Sequence, residues 1–224
     1  RCAQVIVIEA DARFLPALED IRTAYPDRLE IVQGDAMKTS PDSLTAEPFR
    51  IISNLPYNIA TPLFTGWLEN SWRDGAWAPR FLSMTCMFQK EVARRIVAAP
   101  GSADFGRLSV LTNWLTQARI LFDVDRKVFV PSPNVTSSVV HVEPRDHPLT
   151  LADPQMLSQV TAAAFGQRRK MLRASLKKIC SSPSEILAAA DIAETKRAEQ
   201  LEIHEFCTLA RLINEQNQQI RGKQ

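Results

Sequence analysis

The sequence has no long hydrophobic run and little net charge. No apolar stretch approaches the ~20 residues that a membrane-spanning helix requires, and the start of the chain does not show the pattern of a secretory signal peptide. We therefore expect a soluble, cytoplasmic protein with no membrane partner. The 224 residues are 45% hydrophobic, which suits one medium domain, or a domain with a small appendage, that buries roughly 70% of its unfolded surface.

Cysteine and histidine are too sparse and too scattered to indicate a disulfide framework or a metal centre. The four cysteines contain no C-x-x-C pair, and the three histidines show no metal-ligand spacing. We expect buried free thiols and no metal. The net charge of +2 is too small to indicate nucleic-acid binding by itself. The cysteines are Cys2, Cys86, Cys180 and Cys207.

The first two thirds of the chain alternate short β-branched runs with segments of helical periodicity. Strands are predicted over residues 5–8, 29–32, 49–53, 81–88, 119–124 and 135–142. Such alternation is typical of an α/β fold with a mostly parallel sheet covered on both faces. Because no helix long enough to cross over separates the last two strands, we expect them to pair antiparallel at one edge.

The pattern changes after Pro144, where a short polar linker is followed only by helical segments. One of these segments begins with a predicted capping box from Ser182 to Glu185, with Pro183 in the first turn. We therefore divide the chain into a sheet domain, residues 1–147, and a small all-helical domain, residues 148–224.

Polar residues follow three of the predicted strands, and open parallel sheets bind ligands at the carboxyl ends of their strands. Glu9 ends the first strand, where an acid can accept both hydroxyls of a ribose. Gly34 and Asp35 end the second, where a carboxylate can accept a hydrogen bond from an adenine amine. Both features are also typical of ordinary exposed turns.

The third strand is followed by Asn54, Leu55, Pro56 and Tyr57, which form the sharpest signal in the sequence. Proline holds the preceding residue extended and fixes the direction of the neighbouring carbonyls. The amide oxygen of Asn54 and the carbonyl of Leu55 could then accept from one NH2 group, turning its lone pair toward a methyl donor. Tyr57 offers a ring on which a flipped base can stack. The alternative is an Asn-Pro turn with a core tyrosine.

Four segments together resemble the KsgA-type ribosomal RNA adenine dimethyltransferases. They occur in order along nearly the whole chain, whereas the Asn-Leu-Pro-Tyr motif alone also admits DNA adenine and glutamine methyltransferases. The segments are residues 53–63, 128–139, 163–173 and 197–201. The second segment contains the pattern P-x-P-x-V-x-S, and the third resembles the start of the family's helical domain.

The resemblance implies a Rossmann-like class I methyltransferase that uses S-adenosylmethionine. Glu9 would hold the ribose of this cofactor, and Asp35 with Ala36 would contact its adenine. Asn54 would lie at both the cofactor and the target. With Leu55 it would hold the target amine on the bend set by Pro56, while Tyr57 and Phe129 would stack on the target base.

The substrate implied is a pair of adjacent adenines in a hairpin loop near the 3′ end of small-subunit (16S) rRNA, each of which receives two methyl groups. The implied partners are this rRNA and the immature small ribosomal subunit, with the protein acting as a monomer. The family's first strand and its G-x-G-x-G loop would precede Arg1 and have no counterpart in the sequence. Because such a loop lets the backbone approach the cofactor closely, we expect this chain to bind S-adenosylmethionine poorly.

The segment from Gln167 to Lys178 is basic and contains no acid. If it is one helix, Arg169, Arg173 and Lys177 share a face that could follow RNA phosphates. A solvated helix face is the alternative. The residues predicted to bind RNA are Arg168, Arg169, Lys170, Arg173 and Lys177.

Three other functions fit parts of the pattern. A ribosome-assembly factor with secondary methylation would share the RNA contacts, and a large-subunit rRNA adenine methyltransferase would share the catalytic motif. The 167–173 segment favours the small-subunit enzyme. A DNA adenine methyltransferase would need a domain for reading base sequence, for which the helical tail offers little.

Overall fold

The computed structural model describes residues 4–167 and 169–221 of the chain. Within these residues, strands and helices alternate up to Pro144, and only helical elements follow, as the sequence predicts. The strands are β1 Val5–Glu9, β2 Leu29–Gln33, β3 Phe49–Asn54, β4 Trp72–Arg73, β5 Ala76–Trp77, β6 Phe81–Gln89, β7 Thr116–Val124 and β8 Ser137–Pro144. The helices are α1 Leu15–Ala24, α2 Tyr57–Glu69, α3 Lys90–Val97, α4 Arg107–Leu115, α5 Pro154–Phe165, α6 Leu172–Ser175, α7 Pro183–Ala189 and α8 Ile203–Arg221.

The main sheet has the strand order β3-β6-β8-β7, and β1 pairs separately with β2. The pairs β1–β2 and β3–β6 are parallel, whereas β8 is antiparallel to both of its neighbours. The antiparallel pairing of the last two strands is therefore confirmed, with β8 inserted between β6 and the edge strand β7. Within the described residues, β3 has β6 as its single partner strand.

The apolar faces of these elements form one buried cluster. It includes Phe64 from α2, Phe88 from β6 and Trp114 from α4, and it continues into the helical region through Phe206 of α8. The linker is tied to the sheet domain because the Trp114 indole donates to the carbonyl of Thr150 at 2.7 Å. The division near residue 147 stays a prediction.

Two local features differ from the sequence-based expectation. Residues 72–77 form a β-hairpin, β4–β5, with a two-residue turn in which Asp74 and Gly75 have φ 50° and 79°. An Asp-Gly pair is a known signal for this turn. Helix α7 begins at Pro183 as predicted, but the Ser182 side chain makes no capping hydrogen bond. The predicted capping box is therefore wrong. Across the described ranges, no helix has both the length and the hydropathy needed to cross a membrane.

Candidate active site

The segment after β3 combines an exposed amide with a firmly anchored backbone. Asn54 is exposed at the end of the strand, whereas the Leu55 side chain is 5% exposed and belongs to the core. Pro56 has φ −57° and ψ 130° and precedes the first residue of α2, Tyr57. Among the described residues, no hydrogen bond engages the Asn54 side chain, so its amide remains available to a ligand. The alternative of an Asn-Pro turn with a core tyrosine would bury Tyr57, which is half-buried.

The β7–β8 loop lies at the same edge of the sheet as Asn54. Asn54 pairs in register with Met87 near the end of β6, and Gln89, two residues later, pairs with the first residue of β8, Ser137. Strand β7 ends beside the same serine, because Val124 also pairs with Ser137. The half-buried Phe129 belongs to the loop between these strand ends, so both predicted base-stacking segments meet at this edge.

A hydrogen bond joins the two segments directly. The hydroxyl oxygens of Tyr57 and Ser137 are 2.6 Å apart, and Ser137 is fully buried. The sequence reasoning did not select Ser137, although it is the serine of the P-x-P-x-V-x-S pattern. The bond fixes the position of the half-buried Tyr57 ring relative to the β7–β8 loop.

A second polar cluster supports the end of β7. The Asp123 carboxylate accepts hydrogen bonds from the ammonium of Lys90 and from the hydroxyl of Ser138, the latter at 2.6 Å. These hydrogen bonds, with the positive charges of Lys90 and Arg94, hold the pKa of Asp123 below its usual range. The carboxylate therefore stays ionised and ties α3 to β7 and β8. Lys90 and Asp123 are also residues that sequence reasoning missed, because their pairing depends on the tertiary fold.

The predicted cofactor residues Glu9 and Asp35 lie at neighbouring strand ends. Glu9 pairs in register with Gln33, and the amide of Gly34 donates to the Glu9 carbonyl at 3.0 Å. One oxygen of the half-buried Glu9 carboxylate accepts from the amide of Asp11 at 2.7 Å. One oxygen of the Asp35 carboxylate accepts from the amide of Met37 at 2.9 Å. Each carboxylate thus keeps a second oxygen for a ligand. The next residue, Ala36, packs partly buried against the core.

The predicted basic helix is not a single helix. The residues from Gly166 to Lys170 that the structure describes are turns and a bend, Met171 is extended at φ −68° and ψ 151°, and α6 covers only Leu172–Ser175 before a short 3-10 turn. The predicted shared helix face of Arg169, Arg173 and Lys177 is therefore wrong.

The side chains of the basic segment are nevertheless exposed. Arg169 and Lys170 line a shallow concavity beside Gly166, Lys177 is exposed, and Arg173 lies 3.8 Å from the carboxylate of Glu194. Arg168 lies outside the described residues. Their role in RNA binding stays a prediction.

A larger groove, of about 1060 Å3, lies between α2, α4 and α5. It is lined by Trp72 and Trp114 among others and contains none of the predicted site residues.

Among the described residues, no cluster of three or more histidine, cysteine or acidic side chains is arranged to hold a metal ion.

Solved structures share this architecture. A dimethyladenosine transferase from Plasmodium falciparum matches with a TM-score of 0.78 at 24% identity, covering 96% of this chain and 83% of that one. The 23S rRNA methyltransferase ErmE matches with a TM-score of 0.66 at 24% identity and the same coverage. The fold is thus that of the Rossmann-like methyltransferases, as predicted.

Sequence comparison gives the family. The ribosomal RNA adenine dimethylase model matches residues 1–215. The Ribosomal RNA small subunit methyltransferase A of Paracoccus denitrificans is 50% identical over 207 residues, which are 92% of this chain and 72% of the relative. The protein of the same name from Xanthobacter autotrophicus is 52% identical over 208 residues, which are 92% of this chain and 70% of that relative. The chain belongs to the ribosomal RNA adenine dimethylase family.

Proposed function

We propose that this protein transfers methyl groups from S-adenosylmethionine to N6 of two adjacent adenines in a hairpin loop near the 3′ end of small-subunit rRNA. The observation that carries the proposal is the exposed, unengaged amide of Asn54 on a bend whose next side chain, Leu55, is locked in the core. Family membership and relatives about half identical, named for the small subunit, favour this substrate over large-subunit rRNA.

The chemistry assigned to Asn54 and Leu55 is the orientation of a weak nucleophile. The lone pair of an exocyclic adenine amine is delocalised into the ring. Two acceptor oxygens, the Asn54 amide oxygen and the Leu55 carbonyl, bind the two N–H groups and favour a tetrahedral nitrogen with its lone pair directed outward. Because the Leu55 side chain is packed in the core, its backbone carbonyl is held in place before the reaction and needs no rearrangement in the transition state.

Tyr57 and Phe129 hold the base that carries this amine. Both side chains are half-buried and approach the same edge of the sheet, so an extruded adenine can stack between or against them. Stacking on an aromatic side chain is worth ~1–3 kcal/mol per base. Bases in an RNA loop are already partly unstacked, which lowers the cost of extrusion.

The residues present fit S-adenosylmethionine. The free oxygen of the Glu9 carboxylate suits the ribose hydroxyls, and that of Asp35, beside Ala36, suits the adenine amine. When bound, the cofactor supplies an electrophilic methyl group on a sulfonium centre. We further propose that the physiological substrate is the immature small subunit in the cytoplasm, where this rRNA is still accessible.

The decisive experiment is tritiated methyl transfer to small subunits purified from cells that lack the modification. We expect the protein supplied with the family's G-x-G-x-G segment to label N6-dimethyladenine in the 3′-terminal hairpin, and the chain without that segment to label it more slowly. Asn54→Ala should lower the rate by about 100-fold or more, as removal of one preorganised group commonly does. Because Asn54 is exposed, the melting temperature of the Asn54→Ala protein should equal that of the unaltered protein. Normal methylation by the Asn54→Ala protein would overturn the role of Asn54. Labelling of large subunits but not of small subunits, when the two are supplied in parallel reactions, would overturn the assigned substrate.

A further inference from the structure

Two cations project from a fixed turn beside Phe129. Residues Arg126–Val128 form a short 3-10 turn directly after β7. Asp125 accepts a hydrogen bond from the amide of Lys127 at 2.8 Å, and the hydroxyl of Ser132 donates to the carbonyl of Arg126 at 2.9 Å. The turn is therefore held from both sides, while Arg126 and Lys127 remain exposed. Their positions relative to the base-stacking ring are set by the loop itself.

Helix α3 brings a third exposed cation, Arg94, to the same end of β7. Its first residue, Lys90, donates its amide to the carbonyl of Thr136 at 2.9 Å and its ammonium to Asp123. Arg94 lies one turn further along the same helix face and is exposed, since residues four apart are neighbours on a helix. Its charge acts on the same Asp123 carboxylate, which places Arg94 near the end of β7.

The acids in this neighbourhood are already engaged. Asp123 is bound by Lys90 and Ser138, Asp125 caps the 3-10 turn, and Glu91 pairs with Arg95. Within the part of the chain that the structure describes, no ion pair neutralises Arg94, Arg126 or Lys127. These three residues, the rim cations, therefore present unbalanced positive charge next to the candidate base site.

We propose that the rim cations bind the RNA phosphates flanking the adenine held at Asn54. The proposal rests on the proposed function, because it takes the target base to lie between Asn54 and Phe129. The ribose of an extruded nucleotide links its base to the flanking phosphates. When the base binds beside Phe129, those phosphates therefore lie close to the rim cations. This surface is separate in sequence from the basic segment after Gly166, and it provides a second RNA contact that belongs to the sheet domain.

The salt dependence of RNA affinity tests the proposal. The ligand is a fluorescent hairpin with two adjacent loop adenines, and the dissociation constant is measured by anisotropy over a range of KCl concentrations. Each lost phosphate contact lowers the slope of log affinity against log salt by ~0.7–0.9. Arg126→Gln/Lys127→Gln should thus lower the slope by about 1.4–1.8, which weakens binding by about 25- to 60-fold at 0.1 M salt when the two affinities converge at ~1 M. Adding Arg94→Gln should remove about one further contact of ~0.7–0.9.

A matched control removes the same charge elsewhere. Arg22→Gln/Arg211→Gln changes two exposed arginines on α1 and α8 and should keep the wild-type slope. A wild-type slope in the Arg126/Lys127 variant, or an equal fall in the control variant, would overturn the rim proposal. Methyl transfer to small subunits is measured in parallel with the protein supplied with the family's G-x-G-x-G segment. Failure there would instead reject the proposed function, while the slope comparison still decides whether the rim cations bind RNA phosphates.

Discussion

The hydroxyl groups of Tyr57 and Ser137 are 2.6 Å apart and join two segments that lie 80 residues apart in the sequence. Tyr57 starts the helix after the Asn54 bend, and Ser137 starts the strand after the Phe129 loop. Because Ser137 is fully buried, water cannot replace Tyr57 as its partner without rearrangement. We conclude that the bond holds the Tyr57 ring against the start of β8, directly after the loop that carries Phe129.

Removal of either hydroxyl should therefore impair the same step. We expect Tyr57→Phe and Ser137→Ala each to reduce methyl transfer, and the double variant to be little worse than either single variant. Their coupling energy should fall within the ~0.5–3 kcal/mol found for residues in contact. The measurement is kcat and KM for small subunits in a double-mutant cycle, with stacking followed by 2-aminopurine fluorescence at the target position.

The control for this cycle is Ser137→Thr, which keeps the hydroxyl and should retain more activity than Ser137→Ala. Tyr57→Phe also leaves the buried Ser137 hydroxyl without its partner, at a cost of ~1–3 kcal/mol of folding free energy. If the effects on kcat were additive, while the free energies of unfolding alone were coupled, the bond would be structural and would not position the base.

The positions of six strands along the chain and the motif at Asn54 could be predicted from the sequence because both depend on local patterns. Alternation of β-branched runs and helical periods located the strands, and Pro56 located the bend. Ser137 and the Lys90–Asp123 pair were missed, since the partners lie 80 and 33 residues apart. Nothing in local periodicity reports which hydroxyl or carboxylate a distant residue will meet.

The basic segment shows how a helical period can mislead. Arg169, Arg173 and Lys177 have the correct spacing, but Leu172 and Leu176 are both fully buried. Both leucines are buried although the backbone is extended at Met171 and changes to a 3-10 turn after Ser175. Periodicity gives the spacing of buried residues, and a short helix with flanking turns can satisfy the same spacing.

Asp153 should stabilise α5 through its side chain. Its carboxylate accepts from the amide of Met156 at 2.7 Å, with Pro154 at the first helical position. We expect Asp153→Ala to lower the free energy of unfolding by ~1 kcal/mol, as is typical for loss of an N-cap, and Asp153→Asn to restore most of it. Ser182→Ala is the matched control, because the Ser182 side chain makes no capping bond; urea unfolding should show almost no change. Equal losses for Asp153→Ala and Ser182→Ala would contradict this assignment.

Two buried thiols should resist chemical modification. Burial raises the pKa of Cys86 and of Cys207 to about 12, so the reactive thiolate is scarce at neutral pH. We expect neither residue to react with a disulfide reagent at pH 8 until the protein is unfolded, as followed by mass spectrometry of the labelled peptides. Rapid labelling in the native protein would contradict the burial of these side chains.

The same shifts predict how stability depends on pH. The folded-state pKa of each thiol lies above the unfolded value of roughly 8.5, so the unfolded state loses its proton first. The stabilisation is fully present below that value and is lost as the pH rises toward 12. We expect the urea concentration at the midpoint of unfolding to decrease as the pH rises from about 8.5 to the highest accessible value. The free energy of unfolding should decrease with the slope expected when two protons are lost from the unfolded state. A Cys86→Ala/Cys207→Ala protein should show a shallower decline, and an unchanged slope would argue against the linkage.

Arg173 separates a structural role of the basic segment from a role in RNA binding. Its guanidinium lies 3.8 Å from the Glu194 carboxylate, with both side chains substantially exposed, so the pair should contribute less than ~1 kcal/mol to stability. If Arg173 binds phosphate, Arg173→Gln should lower the salt slope of RNA affinity by ~0.7–0.9, whereas Glu194→Gln should strengthen binding by releasing the arginine. If the pair is only structural, both variants should show the same small loss of stability and unchanged RNA affinity. Anisotropy titrations of the two variants with one RNA hairpin therefore distinguish the two roles, and weaker RNA binding by Glu194→Gln would contradict both.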